Sequence, residues 1–505
     1  MKDVTIIGAG LGGLVSGANL AKAGMKVRVL EKHIIPGGYA TSFNRKVQGI
    51  KRPVEFEVSL HLIGDLAEGG ALREVLTDLG VMDRVEFIRA KSLYRAVFPD
   101  SDVRVESYEA YLRALQERYP EEQKGIEALF EQFVRIRKEI LFMMNKTNNG
   151  ETIDLFTDGP TVLAYNNLSL GQVLDQYIAS PELKSVFSQQ WAYYGLPPSQ
   201  ISSVYYAYAW TEYLLFGGFY PKGRSQQISN ALTEIIKENG GEVLTRQHVT
   251  QIVVEDGKAK GVRTKKGEFA SDIVISNADP VQTFGQLVGY EKLPRRYVKK
   301  LESLKPSLAC VQAYLLLDID FPTVYGEKDH EIFVNEYYDL EQGYRDTLDE
   351  RYETMPFGIT IYEVMNPEYQ ASGKTTMSLF VLSRYEDWNE LDEINYTQKK
   401  EAVTRILLNR LERLYPGVSS HIEHVELSTP RTNHFYTGNV QGAIYGAQQS
   451  VDQCLHRRLP QTTPIEGLFL VGAWTQPGGG YSGVIWSGHN LARQLLLQNK
   501  EVVVQ

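Results

Sequence analysis

The chain has 505 residues, of which 43% are hydrophobic and 23% are charged, and its formal net charge at pH 7 is −9. Such a length predicts two domains rather than one simple core, and the negative charge argues against nucleic acid as a partner. Cys310 and Cys454 are the only cysteines and lie far apart, so the sequence predicts neither a disulfide framework nor a metal site. No charge-free apolar run is long enough to cross a bilayer. The first predicted strand begins at Val4, which leaves no room for a cleaved leader and predicts a cytoplasmic location.

The first forty residues have the pattern of a dinucleotide-binding site. Residues 4–7 are a β-branched run typical of a buried parallel strand, and the turn Gly8-Ala9-Gly10-Leu11-Gly12-Gly13 follows at once. A helix is predicted over 14–22 and a second strand over 26–30, which ends at Glu31. A glycine turn between a strand and a helix, with an acid at the end of the next strand, is the full context of this motif.

Each part of the pattern has a physical role. Gly8 allows the tight turn, Gly10 lets the backbone approach a pyrophosphate, and Gly13 lets the helix pack closely against the strand. The N-terminus of the helix offers free N–H groups and the positive end of its dipole to the phosphates. Glu31 is expected to accept hydrogen bonds from ribose hydroxyls.

The segment Pro36-Gly37-Gly38-Tyr39 indicates which dinucleotide is bound. A Gly-Gly pair shortly after the acidic strand end lets the chain pass close to the pyrophosphate and turn toward the ring end of the cofactor, which is typical of FAD proteins. Tyr39 stands where many FAD oxidases have an arginine, so that phosphate contact is missing or comes from elsewhere. The candidate cofactor-binding residues of this region are Gly8, Gly10, Gly12, Gly13, Glu31, Lys32, Gly37, Gly38 and Thr41.

The next region offers one candidate catalytic residue. Residues 54–64 predict a strand that leads into a loop, and His61 lies there among apolar neighbours. Such a histidine is either a structural residue of the core or a group that faces the flavin or the substrate. Apolar residues at three- and four-residue spacing then predict helices over 71–79, 109–117, 125–144 and 168–178.

Residues 191–220 are unusually rich in aromatic side chains. Pro197 and Pro198 interrupt the helical pattern, and a helix predicted over 201–216 is apolar or aromatic nearly all round. Such a helix is either packed in the core or lines an elongated apolar pocket. Its only charged residue is Glu212, whose burial would be costly unless it is paired or functional.

The middle of the chain returns to the nucleotide-binding domain and then leaves it. The segment 219–280 is predicted to complete that domain. The only other match to GxGxxG, Gly478–Gly483, belongs to the C-terminal glycine loop of the same site, so the sequence argues against a built-in NAD(P)H domain. Strands within 290–460 predict the sheet of a substrate domain. The stretch 292–305 is basic and predicts a solvated helix face, with contact with anionic lipid as the alternative.

The C-terminal stretch 467–488 has the same order of predicted elements as the first motif: a strand, a glycine loop and a helix. Gly472 ends the strand, where its backbone could meet the pyrophosphate. The helix is predicted to begin near Gly483 and Val484, with its N-terminal N–H groups facing the flavin. That dipole would stabilise negative charge on a reduced flavin.

The sequence resembles the phytoene desaturase family of FAD enzymes, which includes carotene desaturases, carotenoid isomerase and retinol saturase. The matching stretches run from end to end of the chain: Ile7–Gly13, Pro36–Phe43, Gly218–Gly223, Val249–Ile252, Ile275–Pro280, Ser428–Gly446 and Phe469–Gly488. The resemblance implies FAD as the cofactor, with Glu31 at the adenosine ribose and the backbone of Val249 at the adenine. It also implies that Gly472, Gly483 and Val484 hold the pyrophosphate and the flavin.

The fold implied by the resemblance is α/β. It has a Rossmann-type, glutathione-reductase-like FAD-binding domain that is interleaved with an α+β substrate domain. The predicted division assigns 1–70, 216–290 and 461–505 to the FAD-binding domain, 71–215 to a helical part of the substrate domain, and 291–460 to its mixed sheet.

The resemblance implies hydride transfer between a carbon of a long apolar polyene and flavin N5, in desaturation, saturation or isomerisation. His61 and Glu212 are the candidate catalytic residues, as proton donors or acceptors, and a histidine occupies a similar place to His61 in the retinol saturase and carotenoid isomerase branch. Expected partners are a hydrophobic small molecule, a membrane surface in peripheral contact, and oxygen, a quinone or a separate reductase as electron acceptor. Two other interpretations remain open, an oxidase of amines or of a smaller natural product, and a lipid-binding protein of the Rab GDP-dissociation-inhibitor type.

Overall fold

The structure is a computed structural model that describes residues 2–366 and 373–504. Its strands, in chain order, are β1 (Asp3–Ile7), β2 (Lys26–Leu30), β3 (Ser42–Arg45), β4 (Val54–Glu57), β5 (Ile63–Gly64), β6 (Phe87–Arg89), β7 (Tyr94–Phe98), β8 (Ser101–Val105), β9 (Gly218–Pro221), β10 (Glu242–Leu244), β11 (Val249–Glu255), β12 (Lys258–Thr264), β13 (Gly267–Ala270), β14 (Ile273–Ser276), β15 (Ala309–Leu317), β16 (Glu331–Val334), β17 (Phe357–Ile361), β18 (Thr375–Ser383), β19 (Ile422–Ser428) and β20 (Leu468–Leu470). These strands form one five-stranded sheet, one seven-stranded sheet and three smaller ones.

The strands alternate with helices along most of the chain. The α-helices are α1 (Leu11–Lys22), α2 (Ala71–Leu79), α3 (Tyr108–Arg118), α4 (Gln123–Asn148), α5 (Leu155–Asp158), α6 (Pro160–Tyr165), α7 (Leu170–Tyr177), α8 (Pro181–Phe187), α9 (Trp191–Tyr194), α10 (Ser203–Phe216), α11 (Gln226–Glu238), α12 (Arg295–Glu302), α13 (Phe321–Tyr325), α14 (Leu340–Leu348), α15 (Tyr362–Met365), α16 (Glu386–Asn389), α17 (Glu393–Leu414), α18 (Pro430–Thr437) and α19 (Gly480–Val504). Among the described residues, no helix combines the length and the apolar character that crossing a membrane requires.

The five-stranded sheet is parallel and has the order β10-β2-β1-β14-β20. Its strands come from three separate parts of the chain. The central strand β1 is buried from Val4 to Ile7, because a parallel sheet is covered on both faces, and this burial explains the continuous β-branched run. The strand order reverses between β1 and β14, so the crevice for a ligand lies at the carboxyl ends of these two strands.

The seven-stranded sheet has the order β19-β15-β18-β17-β16-β7-β8. It is antiparallel except for the pairing of β16 with β7. Helices between α3 and α10 pack together beside it around an aromatic cluster, in which the ring of Trp210 lies 4.9 Å from the rings of Phe130 and Phe187. The sheet and this helical layer together enclose the space next to the nucleotide-binding crevice.

The predicted α/β fold, a Rossmann-type sheet interleaved with an α+β region, is confirmed. The division by residue number stays a prediction. Two helices begin earlier than predicted, α1 at Leu11 instead of 14 and α19 at Gly480 instead of near Gly483. Glycine has a low helix propensity, so a pattern of apolar spacing locates the start of a helix only after the last glycine of the turn.

As predicted for 54–64, a strand, β4, leads into a loop. The N–H of Val58 still donates to the carbonyl of Thr41 at 3.1 Å, whereas the N–H of Ser59 turns to the carboxylate of Glu57 at 3.4 Å and leaves the strand ladder. Pairing resumes only at β5, so His61 lies in the irregular segment between β4 and β5. An irregular segment can point a side chain into a neighbouring cavity, which an alternating strand would do only at every second residue.

Candidate active site

The carboxyl ends of β1 and β14 open into a cavity of about 380 Å³. At one end the cavity is lined by the glycine turn and the loops of the nucleotide-binding sheet. At the other end it is lined by α4, α9 and α10 and by residues of β15 and β18. The crevice of the five-stranded sheet and the space beneath the helical layer are therefore one continuous cavity.

The nucleotide end is a cradle in which the glycines of the turn lie close to Asn277 and Gly472. A Cβ atom on Gly10 would lie 2.8 Å from Asn277 Nδ2, and one on Gly12 would lie 2.7 Å from Asn277 Oδ1 and 3.1 Å from Gly472 Cα. Gly8 has a φ of +93°, which favours glycine. The sequence analysis missed Asn277, although its position directly after β14, at the crevice, was a usable signal.

Gly13 is a packing residue of this cradle and does not line the cavity. A Cβ atom on Gly13 would lie only 2.2 Å from the carbonyl oxygen of Gly8. Any other residue at this position would push α1 away from β1. This close helix–strand contact is the one expected from the motif.

Thr41 and Gly472 do not line the cavity, and their cofactor contacts stay predictions. The hydroxyl of Thr41 donates to the side chain of Gln226. The N–H of Gly472 donates to Ser487 Oγ at 3.0 Å. Both polar groups are satisfied within the protein, and Gly472 serves to let β20 approach the glycine turn.

Glu31 and Lys32 line the cavity beside the glycine turn. Glu31 is buried, and its two carboxylate oxygens accept the N–H groups of Ala9 at 2.8 Å and His33 at 2.7 Å. Each oxygen can accept a second hydrogen bond, so the carboxylate can still bind hydroxyl groups of a ligand. Lys32 Nζ donates to the carbonyl of Phe435 at 3.4 Å, and burial lowers the pKa of this ammonium group.

The Gly-Gly pair lies against the glycine turn. Gly37 and Gly38 have φ values of +137° and +62°, and the N–H of Gly37 donates to the carbonyl of Ala9 at 2.8 Å. A Cβ atom on Gly38 would lie 3.3 Å from Gly10 Cα. Both glycines line the cavity, and so does Val249 at the start of β11.

The first turn of α19 forms another part of the cavity wall and includes Gly483 and Val484. A Cβ atom on Gly488 would lie 2.5 Å from the carbonyl oxygen of Gly12, so α19 and α1 pack with their backbones in contact. The N–H groups at the start of a helix have no partner within it. Two helix N-termini, α1 and α19, therefore present N–H donors to the same cavity.

Helix α10 is both a core helix and a wall of the cavity. One face packs against the aromatic cluster and carries Val204, Tyr206, Ala207, Trp210 and Leu214. The other face lines the cavity and carries Tyr205, Tyr208, Ala209, Glu212 and Tyr213. The two interpretations of this helix are therefore each correct for one face, since residues three and four apart lie on the same side of a helix.

Glu212 is buried in the cavity wall and is 4% exposed. Its Oε1 has no hydrogen-bond partner within the described residues. Burial raises the pKa of Glu212 to about 8, so this carboxyl group is mainly protonated at neutral pH. The nearby ion pair of Arg137 with Asp65, at 2.6 Å, is also buried. The polar groups of this end are thus held away from bulk water.

The ring of His61 lines the cavity, where it packs against Phe380 and Tyr193 with centroid distances of 4.6 and 5.5 Å. Its Nδ1 lies 2.5 Å from Thr360 Oγ1 and 3.2 Å from Glu331 Oε2. The sequence analysis missed these two partners. The only signal was an acid at the start of the otherwise apolar strand β16, Glu331–Val334.

The backbone cradle, the acid at the end of β2 and the two helix N-termini define a dinucleotide-dependent oxidoreductase site that fits FAD. The chain belongs to the flavin containing amine oxidoreductase family, whose model matches residues 11–496. Its cofactor is FAD. The cavity residues that could hold FAD are Gly8, Gly10, Gly12, Glu31, Lys32, Gly37, Gly38, Val249, Asn277, Gly483 and Val484.

Two curated relatives match over most of their length. All-trans-retinol 13,14-reductase of Homo sapiens is 28% identical over 511 residues, covering 93% of this chain and 82% of the relative. The chloroplastic prolycopene isomerase of Arabidopsis thaliana is 27% identical over 525 residues, covering 99% of this chain and 84% of the relative. Both names agree with the phytoene desaturase family that the sequence resembles.

Solved structures share the fold. An oxidoreductase from Methanosarcina mazei has a TM-score of 0.63 and 20% identity, with coverage of 98% of this chain and 100% of the other. Putrescine oxidase has a TM-score of 0.65 and 15% identity, with coverage of 98% and 99%. At this level of identity the likeness concerns the fold alone.

Proposed function

We propose that the protein acts on the carbon–carbon bonds of a long hydrophobic polyene of the retinoid or carotenoid type. The observation that carries the proposal is the continuous cavity, in which the nucleotide cradle opens onto the aromatic face of α10. One relative is named for the reduction of all-trans-retinol and another for the isomerisation of prolycopene. These relatives favour a polyene over an amine, a small natural product or non-enzymatic lipid binding.

FAD, when bound, supplies two-electron hydride chemistry. The protein must then hold the polyene in a fixed position beside the flavin and exclude water from the cavity. The rings of Tyr205, Tyr208 and Phe380 suit this task, because flat apolar walls pack against a conjugated chain. His61 and Glu212 are the wall residues that we propose for proton transfer, His61 at Nε2 and Glu212 at its protonated carboxyl.

Anaerobic incubation of the FAD-loaded enzyme with carotenoids, retinoids and amines tests the substrate class, with the flavin oxidised in one series and reduced beforehand by dithionite in a second. Flavin absorbance reports bleaching or reoxidation, and mass spectrometry reports the product. Loss of two hydrogens identifies a desaturase, gain of two a saturase, and a new isomer of unchanged mass an isomerase. Bleaching by amines, with no change in the mass or the isomer of any polyene, would contradict the proposal. A flavin-free protein that binds prenyl lipid would support the non-enzymatic alternative.

Two alanines of α10 provide a matched pair for the cavity. Both belong to the core cluster, but only Ala209 also lines the cavity. Ala209→Leu should reduce turnover of the longest polyenes most, with a smaller loss of stability than Ala207→Leu, because its side chain can extend into the channel and narrow it. Ala207→Leu should lower the free energy of unfolding by about 1–3 kcal/mol through overpacking, with little change in substrate preference. Equal effects of the two changes on chain-length preference would argue against α10 as the channel wall.

We infer that the polyene enters from a lipid surface near the C-terminal half of α4. Ile140 and Met144 line the cavity, and Phe142, which lies between them in the sequence, is 53% exposed. Phe156 of the adjacent α5 is 79% exposed. Exposed aromatic residues around a cavity mouth are typical of lipid contact.

Co-sedimentation with anionic vesicles tests this surface. The double change Phe142→Asp and Phe156→Asp should reduce vesicle binding by more than about threefold, since each aspartate would have to be buried in the interface. Ile394→Asp, at a residue that is 70% exposed on α17, is the control. If changes in the basic helix α12 alone abolish binding, the contact lies there instead.

The electron acceptor can be identified on the same enzyme. We propose oxygen, a quinone or a separate reductase, because the only other GxGxxG match, Gly478–Gly483, lines this same cavity and does not begin a separate domain for a pyridine nucleotide. Stopped-flow reoxidation of the reduced enzyme by oxygen and by a soluble quinone compares the first two directly. Slow reaction with both would favour the separate reductase.

A further inference from the structure

The Nδ1 edge of His61 is fixed by two residues of the seven-stranded sheet. Nδ1 lies 2.5 Å from Thr360 Oγ1 and 3.2 Å from Glu331 Oε2. Glu331 and Thr360 lie directly opposite each other on β16 and β17. Within the described parts of the chain, Nε2 has no hydrogen-bond partner, so this edge of the ring is the one open to the cavity.

The hydrogen bonds specify the protonation of the ring. Thr360 Oγ1 donates to Glu331 Oε2 at 3.0 Å, which uses the only proton of the hydroxyl. The hydroxyl oxygen must therefore accept from His61, so Nδ1 carries a proton. Nε2 then holds a lone pair in the neutral ring and a transferable proton in the charged ring.

The surroundings of Glu331 favour the charged ring. Glu331 is 1% exposed, and its Oε1 has no hydrogen-bond partner among the described residues. Within the same ranges no lysine or arginine lies within ion-pair distance of Glu331, whereas His61 does. A buried carboxylate without a positive partner is strongly unfavourable, so a proton on His61 is the compensation that the structure offers.

The geometry points to Glu331 as a positioning residue that acts with Thr360 to hold His61 as an Nε2–H proton donor at the cavity wall. This inference rests on the proposed function. In the addition of hydrogen to a double bond, the proton leaves Nε2 for a substrate carbon, and the neutral ring regains a proton from water. The hydride that completes the addition is the contribution of reduced FAD.

Other titratable groups near this pair do not change charge in the same pH range. The groups around His61 and Glu331 are His330, Tyr193, Tyr213, Tyr362 and Tyr445. Burial raises the pKa of all four tyrosines, which stay neutral. Burial lowers the pKa of His330, against the opposing effects of Glu331 and of the carbonyls of Ile361 and His61.

Nitrogen-15 NMR of the histidine rings in the FAD-loaded enzyme tests the inference directly. The signal of His61 is assigned by its loss in His61→Gln. In Glu331→Gln the midpoint of the His61 titration should fall by at least about one pH unit, because the nearby negative charge is removed. A midpoint that does not move in the folded, flavin-bound variant would overturn the inference.

Turnover gives a second readout. Glu331→Gln should lower turnover at about pH 8 by at least about tenfold, with recovery at lower pH and little change in KM for the polyene. A merely structural role would lower turnover equally at every pH. In a His61→Gln background, Glu331→Gln should cause no further loss, and an additional loss there would contradict the assignment.

Thr360 provides a milder variant and its control. Thr360→Val should shift the His61 midpoint downward, whereas Thr360→Ser keeps the hydroxyl and should leave it unchanged. This pair tests the inference if Glu331→Gln does not fold. The NMR midpoint needs no substrate, so a failure of the polyene assays would count against the proposed function and leave the role of Glu331 to be decided separately.

Discussion

The two ends of the cavity are built from different parts of the polypeptide. At the nucleotide end the wall is largely backbone, and a Cβ atom on Gly12 would lie 3.1 Å from Gly472 Cα. At the other end the wall consists of side chains such as Tyr208 and Phe380, with buried acids behind them. A cofactor of fixed shape is bound by close contacts with the backbone, whereas a long apolar substrate is bound by the surfaces of side chains. Substitutions at the nucleotide end should therefore abolish cofactor binding or leave it intact, whereas substitutions at the other end should change substrate turnover by degrees.

The largest effect is expected at Gly13. Gly13→Ala places a Cβ atom 2.2 Å from the carbonyl oxygen of Gly8, which separates α1 from β1. We expect nearly complete loss of bound flavin, measured as absorbance per protein. Gly24→Ala is the control, because a Cβ atom there meets nothing within 4 Å. It should keep its flavin and lose only about 1–2 kcal/mol of stability, owing to its left-handed φ. Full flavin occupancy in Gly13→Ala would contradict the expected difference between the two ends of the cavity.

Arg137 should show the next largest effect, this time on stability. Arg137 and Asp65 form a 2.6 Å ion pair in which the side chains are 3% and 0% exposed. Arg137→Met leaves a buried carboxylate without its partner and should lower the free energy of unfolding by about 3–5 kcal/mol. Denaturant titration measures this loss. Arg84→Met, at an exposed pair with Glu238, should cost far less. Similar losses in both variants would show that burial of the pair is unimportant.

The same contrast explains what the sequence could predict. The strand β1, the glycine turn and Glu31 form a contiguous motif, and backbone geometry assigns each residue its role. Glu331 and Thr360 could not be found in this way. Each is a polar residue in an apolar strand, where period-two alternation is equally consistent with a surface position. Thr360 and His61 are 299 residues apart in the sequence, so only the folded sheet brings them into contact.

His61→Ala tests the side-chain end by its effect on catalysis. The variant should retain bound flavin, since His61 is not part of the glycine cradle, and its turnover of the polyene should fall by at least about tenfold. His421→Ala is the control, because His421 lies at an exposed pair with Asp318. Rapid-mixing measurements of flavin reduction or reoxidation separate the chemical step from product release. Unchanged turnover would remove His61 from the proton-transfer step.

Glu212 should show the smallest effect, and its sign follows from its pKa. Burial raises the pKa of Glu212 from 4.5 to about 8. Between these values the folded protein keeps a proton that the unfolded chain releases, so the free energy of unfolding falls as pH rises toward about 8 and levels off above it. A glutamine at this position would not titrate, so the stability of Glu212→Gln relative to the parent protein should increase by at least about 1 kcal/mol between about pH 5 and pH 8.

Denaturant titrations at several pH values measure this difference, with the exposed Glu86→Gln as the control. The side chain of Glu86 is 66% exposed, so this change should not alter the pH slope. Parallel stability curves for Glu212→Gln and the parent protein would show that Glu212 is ionised in the folded state. It would then be unable to donate a proton at neutral pH, and the acid of the side-chain end would be His61 alone.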